Sequence, residues 1–110
     1  MPHRVCKTSE IQNEGEMYRF EVEGRPILVV KLGAQYYAAD STCTHQEADL
    51  SLGILIDGII TCPLHQAKFN VSDGSVIGGP DGSAPESIPK LRVYSTLIQG
   101  DELFIELPLQ

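Results

Sequence analysis

Ile54-Leu55-Ile56-Asp57-Gly58-Ile59-Ile60-Thr61-Cys62-Pro63-Leu64-His65 is the stretch on which the reading of this chain turns. Two apolar, β-prone triplets flank an Asp-Gly pair, the dipeptide favoured where both central residues of a two-residue hairpin turn need positive φ. The segment is therefore predicted as a tight hairpin whose second strand runs directly into Cys62 and His65. Upstream stands a second pair, Cys43-Thr44-His45, with sixteen residues between the two. Two thiols and two imidazoles delivered by two short loops form a ligand set for a metal centre.

Outward from this stretch the chain reads as all-β. Glu23-Gly24, Gly33, Asp57-Gly58, Asp73-Gly74, Asp81-Gly82 and Gly100-Asp101 punctuate short runs rich in Val, Ile, Leu, Tyr and Phe. Tyr18-Arg19-Phe20-Glu21-Val22-Glu23 alternates apolar and charged residues, as a strand with one wet face does. Ile27-Leu28-Val29-Val30 is apolar throughout and fits a central strand covered on both sides. These two segments are expected to form a hairpin around Gly24-Arg25. Lys68-Phe69-Asn70-Val71 and Ser75-Val76-Ile77 suggest another around Asp73-Gly74. Leu91-Arg92-Val93 leads a strand near the C-terminus, and Leu103, Ile105 and Leu107 line one face of the next. No segment shows the periodicity of a helix of any length.

With 110 residues the chain has the length of one domain. The stretch from about residue 40 to 84 is richer in Gly, Pro, Asp and Ser and holds both Cys/His pairs. The expected architecture is a basal β-sandwich, about 1–39 and 85–110, with a small metal-binding subdomain of loops and hairpins, about 40–84, inserted in it. The formal net charge of −7 argues against nucleic-acid binding, which needs clustered Lys and Arg, and favours docking on basic protein surfaces. Met1-Pro2-His3-Arg4-Val5-Cys6 lacks the apolar run of a signal peptide, and no stretch approaches a membrane span. A soluble cytoplasmic protein without a membrane partner is expected. Cys6, the third cysteine, leaves an odd thiol and reads as a small buried side chain.

The order of the two pairs, Cys leading each with gaps of one and two residues, together with Cys62-Pro63, resembles the Rieske proteins. The resemblance covers essentially the whole chain and is nearest to the small Rieske-type [2Fe-2S] ferredoxins of bacterial aromatic ring-hydroxylating dioxygenase systems. It implies one [2Fe-2S] cluster, with Cys43 and Cys62 on one iron, His45 and His65 on the other, and the outer nitrogens of both rings facing solvent. It implies a carrier that takes electrons from an NAD(P)H-dependent flavin reductase and passes them singly to a terminal ring-hydroxylating oxygenase. A monomer is expected, since such a carrier exposes one tip to two partners in turn. Gly79-Pro80 resembles the family's third, proline-containing loop, although Asp81-Gly82-Ser83 lengthens the segment before Ala84-Pro85.

Charge counting places such a cluster on the potential scale. Two thiolates leave the oxidised core neutral where four would leave it dianionic, so adding an electron is easier, at roughly −150 to +300 mV. Within that window, high-potential relatives carry a disulfide between two extra loop cysteines, and a Ser and a Tyr whose hydroxyls bond sulfur. At the matching positions this chain has Ala48, Leu64, Ala67 and Phe69. A potential at the low end is expected. Reduction is also expected to be coupled to histidine protonation at alkaline pH.

Three rival readings follow from the same residues. Cys₂His₂ suits structural zinc, but zinc fingers group their cysteines and histidines separately, which this order does not. A Rieske oxygenase needs a further iron on two His and a carboxylate; of three histidines only His3 remains, so catalysis by this chain alone is not expected. A Rieske-like small subunit of an assimilatory nitrite reductase shares the fold and can lack the ligands, which are all present here. Gln46, Glu47 and Gln66 beside the histidines could form a docking rim or plain loop polarity. Tyr36-Tyr37 reads as strand packing or as support beneath the metal-binding region, and Glu14, Glu16, Glu21 and Glu23 as a wet face.

Overall fold

The computed structural model describes residues 2–44 and 48–107. Its regular structure is strands: β1 Pro2–Lys7, β2 Met17–Val22, β3 Arg25–Leu32, β4 Gln35–Asp40, β5 Ile54–Ile56, β6 Ile59–Thr61, β7 Lys68–Asn70, β8 Val76–Gly78, β9 Val93–Tyr94, β10 Thr96–Gln99 and β11 Glu102–Glu106. Helical structure among the described residues is limited to three-residue 3₁₀ turns. The strands form three antiparallel sheets, ordered β1-β11-β10, β2-β3-β4-β9 and β5-β6-β7-β8.

β3 explains how the sheets stack. Ile27, Leu28, Val29 and Val30 are all fully buried, because successive residues of a strand face opposite sides and here both sides are covered. Ile27 and Val29 pack with Cys6, Leu103 and Ile105 beneath the β1-β11-β10 sheet. Leu28 and Val30 pack on the other side with Phe69, Ile60, Leu50, Leu91 and the two motif cysteines. The central sheet therefore carries the basal core on one face and the floor of the Cys/His region on the other. Cys6 is buried as expected.

The β2–β3 hairpin turns one residue earlier than expected, at Glu23-Gly24, where φ is +52° and +74°, so that Val22 pairs with Arg25. Arg25, placed in the turn by the sequence reading, is the first residue of β3. Both central residues of the turn occupy the left-handed region, which favours Gly at the second site and leaves Arg25 free to pair. The Asp57-Gly58 hairpin forms as expected, with φ of +53° and +78° and Ile56 opposite Ile59. The segment around Asp73-Gly74 is looser, with a bulge between Lys68 and Phe69 in the β7–β8 pairing.

Gly53 controls how the β5–β6 hairpin meets the second Cys/His loop. A Cβ there would lie 2.0 Å from the Thr61 carbonyl oxygen and 3.2 Å from Cδ of Pro63. Both obstacles lie on the strand and loop that deliver Cys62, so the clash cannot be relieved by a flexible side chain. Gly53→Ala is expected to cost about 2–3 kcal/mol, in the range of overpacked cores. A chemical-denaturation midpoint equal to wild type would contradict this reading.

Candidate metal centre

The two Cys/His segments are closed in the same way. The Cys43 amide donates to the Ala48 carbonyl at 2.9 Å, and the Cys62 amide donates to the Ala67 carbonyl at 2.8 Å. Each hydrogen bond closes a six-residue segment beginning in Cys and ending in Ala. Just outside them, Thr42 bridges Asp49 and Thr61 pairs with Lys68. Cys43, Ala48, Cys62 and Ala67 are all buried in the core cluster that holds Phe69. The two Cys/His segments thus stand on one apolar floor, each rooted by a backbone pair.

The root of the first segment is held from several sides. Tyr94 donates its hydroxyl hydrogen to Asp40 and accepts from Arg25 at 3.3 Å, fixing the end of β4. The Asp40 amide bonds the Arg92 carbonyl at 2.9 Å and the Ser41 amide bonds that of Pro26 at 3.1 Å. Asp49 Oδ1 accepts from Ser41 Oγ at 2.7 Å, from Ser51 N at 3.0 Å and from Ser51 Oγ at 2.6 Å. Burial opposes the charge of Asp49, but these hydrogen bonds win and hold its carboxyl below the ordinary value.

A carboxyl lowered on folding stabilises the fold fully above its unfolded value of about 3.9, and that contribution disappears as pH falls through the lower folded value. Asp49→Ala is therefore expected to cost about 2 kcal/mol at neutral pH, the worth of hydrogen bonds to a charged group, and less under acid conditions. Denaturation midpoints of both proteins at pH 7 and pH 3 measure it. An identical gap at the two values would remove the ionised carboxylate from the account. Nothing in the sequence reading singled out Asp49, although Asp-x-Ser is a local turn and cap signal.

In the second segment Pro63, Leu64, His65 and Gln66 reach the surface. His65 and Gln66 both adopt left-handed backbone, at φ +62° and +60°. Two consecutive non-glycine residues there cost of order 1–3 kcal/mol each and persist only where surrounding contacts impose them. One such contact comes from the proline loop. The Asp81 amide donates to the His65 carbonyl at 2.6 Å, and Asp81 Oδ2 lies 3.0 Å from His65 Nδ1.

The lengthened segment that the sequence left open is thus folded back on itself, and it sets Asp81 against the second Cys/His loop. Ser83 completes the fold-back, with its amide and hydroxyl both donating to the Pro80 carbonyl at 3.0 and 2.7 Å. The Asp81–His65 contact had no signal in the sequence, since fifteen residues separate the partners. Thr44 Oγ1 donates to the Pro89 carbonyl at 2.8 Å and ties the first segment to the chain leaving that loop.

The thiols of Cys43 and Cys62 are neighbours, and neither is in a disulfide. Burial pushes the Cys62 thiol up to about 11 and the adjacent Cys43 thiol adds to the rise, while a hydrogen bond from the Leu64 amide opposes it. The Cys62 thiol therefore stays protonated near neutrality unless a cation draws off its proton, which a soft metal centre does on binding. Two converging buried thiols, an amide directed at one sulfur and an imidazole three residues on fit a thiolate-and-imidazole metal site. His45, with Gln46 and Glu47, lies outside the described residues. Among those described, no group of three metal-binding side chains converges.

Neither Ala67 nor Phe69 carries a hydroxyl. Ala67 and Phe69 are fully buried, and Ala48 nearly so. His3 is half-buried, 3.8 Å from Glu23 and far along the chain from the motif. Tyr37 packs against the floor of the site and Tyr36 against the basal core. Glu14 accepts a 2.7 Å hydrogen bond from the Gly33 amide and Glu16 accepts from Asn13 and Tyr18, so that acidic segment is partly structural.

Comparison with known proteins gives concordant results. The family model of the Rieske [2Fe-2S] domain matches residues 1–95. The ferredoxin component of biphenyl 2,3-dioxygenase from Rhodococcus jostii (strain RHA1) is 35% identical over 104 residues, 94% of this chain and 91% of the relative. The ferredoxin of carbazole 1,9a-dioxygenase from Nocardioides aromaticivorans IC177 superposes with a TM-score of 0.80 at 29% identity, covering 96% of each chain. A ferredoxin solved in complex with the oxygenase of a carbazole 1,9a-dioxygenase gives a TM-score of 0.79 at 33% identity, covering 94% of this chain and 99% of that one.

Proposed function

Since this chain belongs to the Rieske [2Fe-2S] domain family, we propose that Cys43, His45, Cys62 and His65 hold its single cluster, the cysteines on one iron and the histidines on the other. The chain is an electron-transfer component of the aromatic-ring dioxygenase type, with no catalytic role of its own. The cluster, when bound, supplies one-electron redox chemistry. The protein supplies a dry floor beneath the sulfur donors and a surface position for the His65 ring. The observation that carries the ligand assignment is the pair of adjacent buried thiols standing over Phe69 with His65 at the surface beside them.

The donor in this reading is an NAD(P)H-dependent flavin reductase and the acceptor a terminal ring-hydroxylating oxygenase. The carrier works as a cytoplasmic monomer, its metal-binding subdomain spanning about residues 40–84. No helix among the described residues is long and apolar enough to cross a membrane. Reconstitution with reductases and aromatic-ring oxygenases, following NAD(P)H-dependent product formation, tests the assignment. Turnover with an oxygenase is expected. Success with an assimilatory nitrite reductase and failure with every oxygenase would overturn it.

A further inference from the structure

The β5-β6-β7-β8 sheet carries isoleucines on its outer face as well as an apolar inner face. Leu55, Ile60, Phe69 and Val76 pair across the strands and face the core beside the motif cysteines. Their chain neighbours point the other way, so the outer face presents Ile54, Ile56, Ile59, Thr61, Lys68 and Ile77. An antiparallel sheet with one wet face ordinarily places polar residues there. Instead Ile54, Ile56 and Ile77 are 59%, 64% and 48% exposed. The groove they line includes Gln66, the residue after His65, and Leu64 stands half-exposed on the same ligand loop. The patch is thus continuous with the proposed electron exit.

We propose that this outer face is the surface on which the terminal oxygenase docks, an inference that rests on the carrier reading above. An exposed apolar patch beside a functional loop marks an interaction site. Its size discriminates between occupants. A stable dimer of two such chains needs about 800 Å² a side, whereas transient redox encounters bury less than about 1,200 Å² in total. A handful of isoleucines and the neighbouring loop match the second class, and a net charge of −7 on each chain opposes pairing of two copies.

The approach of an acceptor to His65 also forces contact here. A footprint of several hundred Å² centred on His65 cannot avoid a groove that begins at the next residue. Lys68 is exposed in that groove. The matching acceptor surface is apolar.

The test uses Ile54→Ser/Ile56→Ser in the cluster-loaded protein. Both side chains are exposed, so the absorption spectrum and reduction potential are expected to stay those of wild type. Chemically reduced protein is mixed with an aromatic-ring oxygenase that the wild type reduces, and reoxidation is followed against concentration. The half-saturating concentration is expected to rise about tenfold with the limiting rate unchanged, as for loss of interface anchors. An unchanged half-saturating concentration would overturn the proposal. So would a wild-type dimer that the variant converts to monomer, because the face would then belong to a second copy. Wild type that reduces no oxygenase would overturn the carrier reading itself.

Discussion

Purified Cys62→Ser is expected to lack the brown-red chromophore of the wild type entirely, while Cys6→Ser keeps it. Both cysteines are 1% exposed, and burial pushes both thiols up to about 11. They differ in company. Cys62 touches Cys43 on the floor shared by both ligand segments, whereas Cys6 packs in the basal core with Leu103 and Ile105. A serine hydroxyl is a hard donor that does not ionise near neutrality, so it cannot replace a thiolate on a soft iron-sulfur centre. Loss of the centre also removes its binding free energy from the folded state, so the colourless variant should unfold at a lower temperature than the loaded wild type. Colour retained in Cys62→Ser, or lost in Cys6→Ser, would contradict the ligand assignment.

Ala67→Ser is expected to raise the reduction potential by roughly 45 mV, and Ala67→Ser/Phe69→Tyr by roughly 90 mV. Hydroxyl donors to sulfur stabilise the more negative, reduced state, so adding them raises the potential. At about 1 kcal/mol per hydrogen bond and about 59 mV per 1.4 kcal/mol for one electron, the pair gives that figure. Ala67 closes the second Cys/His segment through its carbonyl, and both Ala67 and Phe69 are fully buried in the floor beneath it. The native protein, lacking both hydroxyls, should sit at the low end of the roughly −150 to +300 mV range. Protein-film voltammetry measures all three proteins. A native value above about +100 mV, or no rise in Ala67→Ser, would defeat the hydrogen-bond argument.

Much of this architecture was legible in short-range signals. The Asp57-Gly58 turn, the continuous apolar run at Ile27–Val30 and the alternation in β11 each have a local cause, and each appears in the fold. The two Cys/His pairs were legible because their spacing is local too. What escaped was long-range. The Asp81–His65 contact joins residues from different loops, and its two left-handed residues in the ligand segment are imposed by tertiary contacts rather than by their own propensities. Asp49 escaped differently, because its three serine hydrogen bonds look like ordinary loop polarity until Ser41 is seen to come from the other side of the segment. The apolar outer face of the β5–β8 sheet was visible as isoleucines, but their exposure depends on which face the core claims.

On the proposed ligand set, the electron of the reduced cluster resides on an iron held by two histidines of this chain. Nitrogen hyperfine coupling in the paramagnetic signal of the reduced protein tests it most directly. Two imidazole nitrogens are expected in the wild type, with one lost in His65→Cys and the other in His45→Cys. A colourless protein with no signal, or a signal without nitrogen coupling, would contradict the claim.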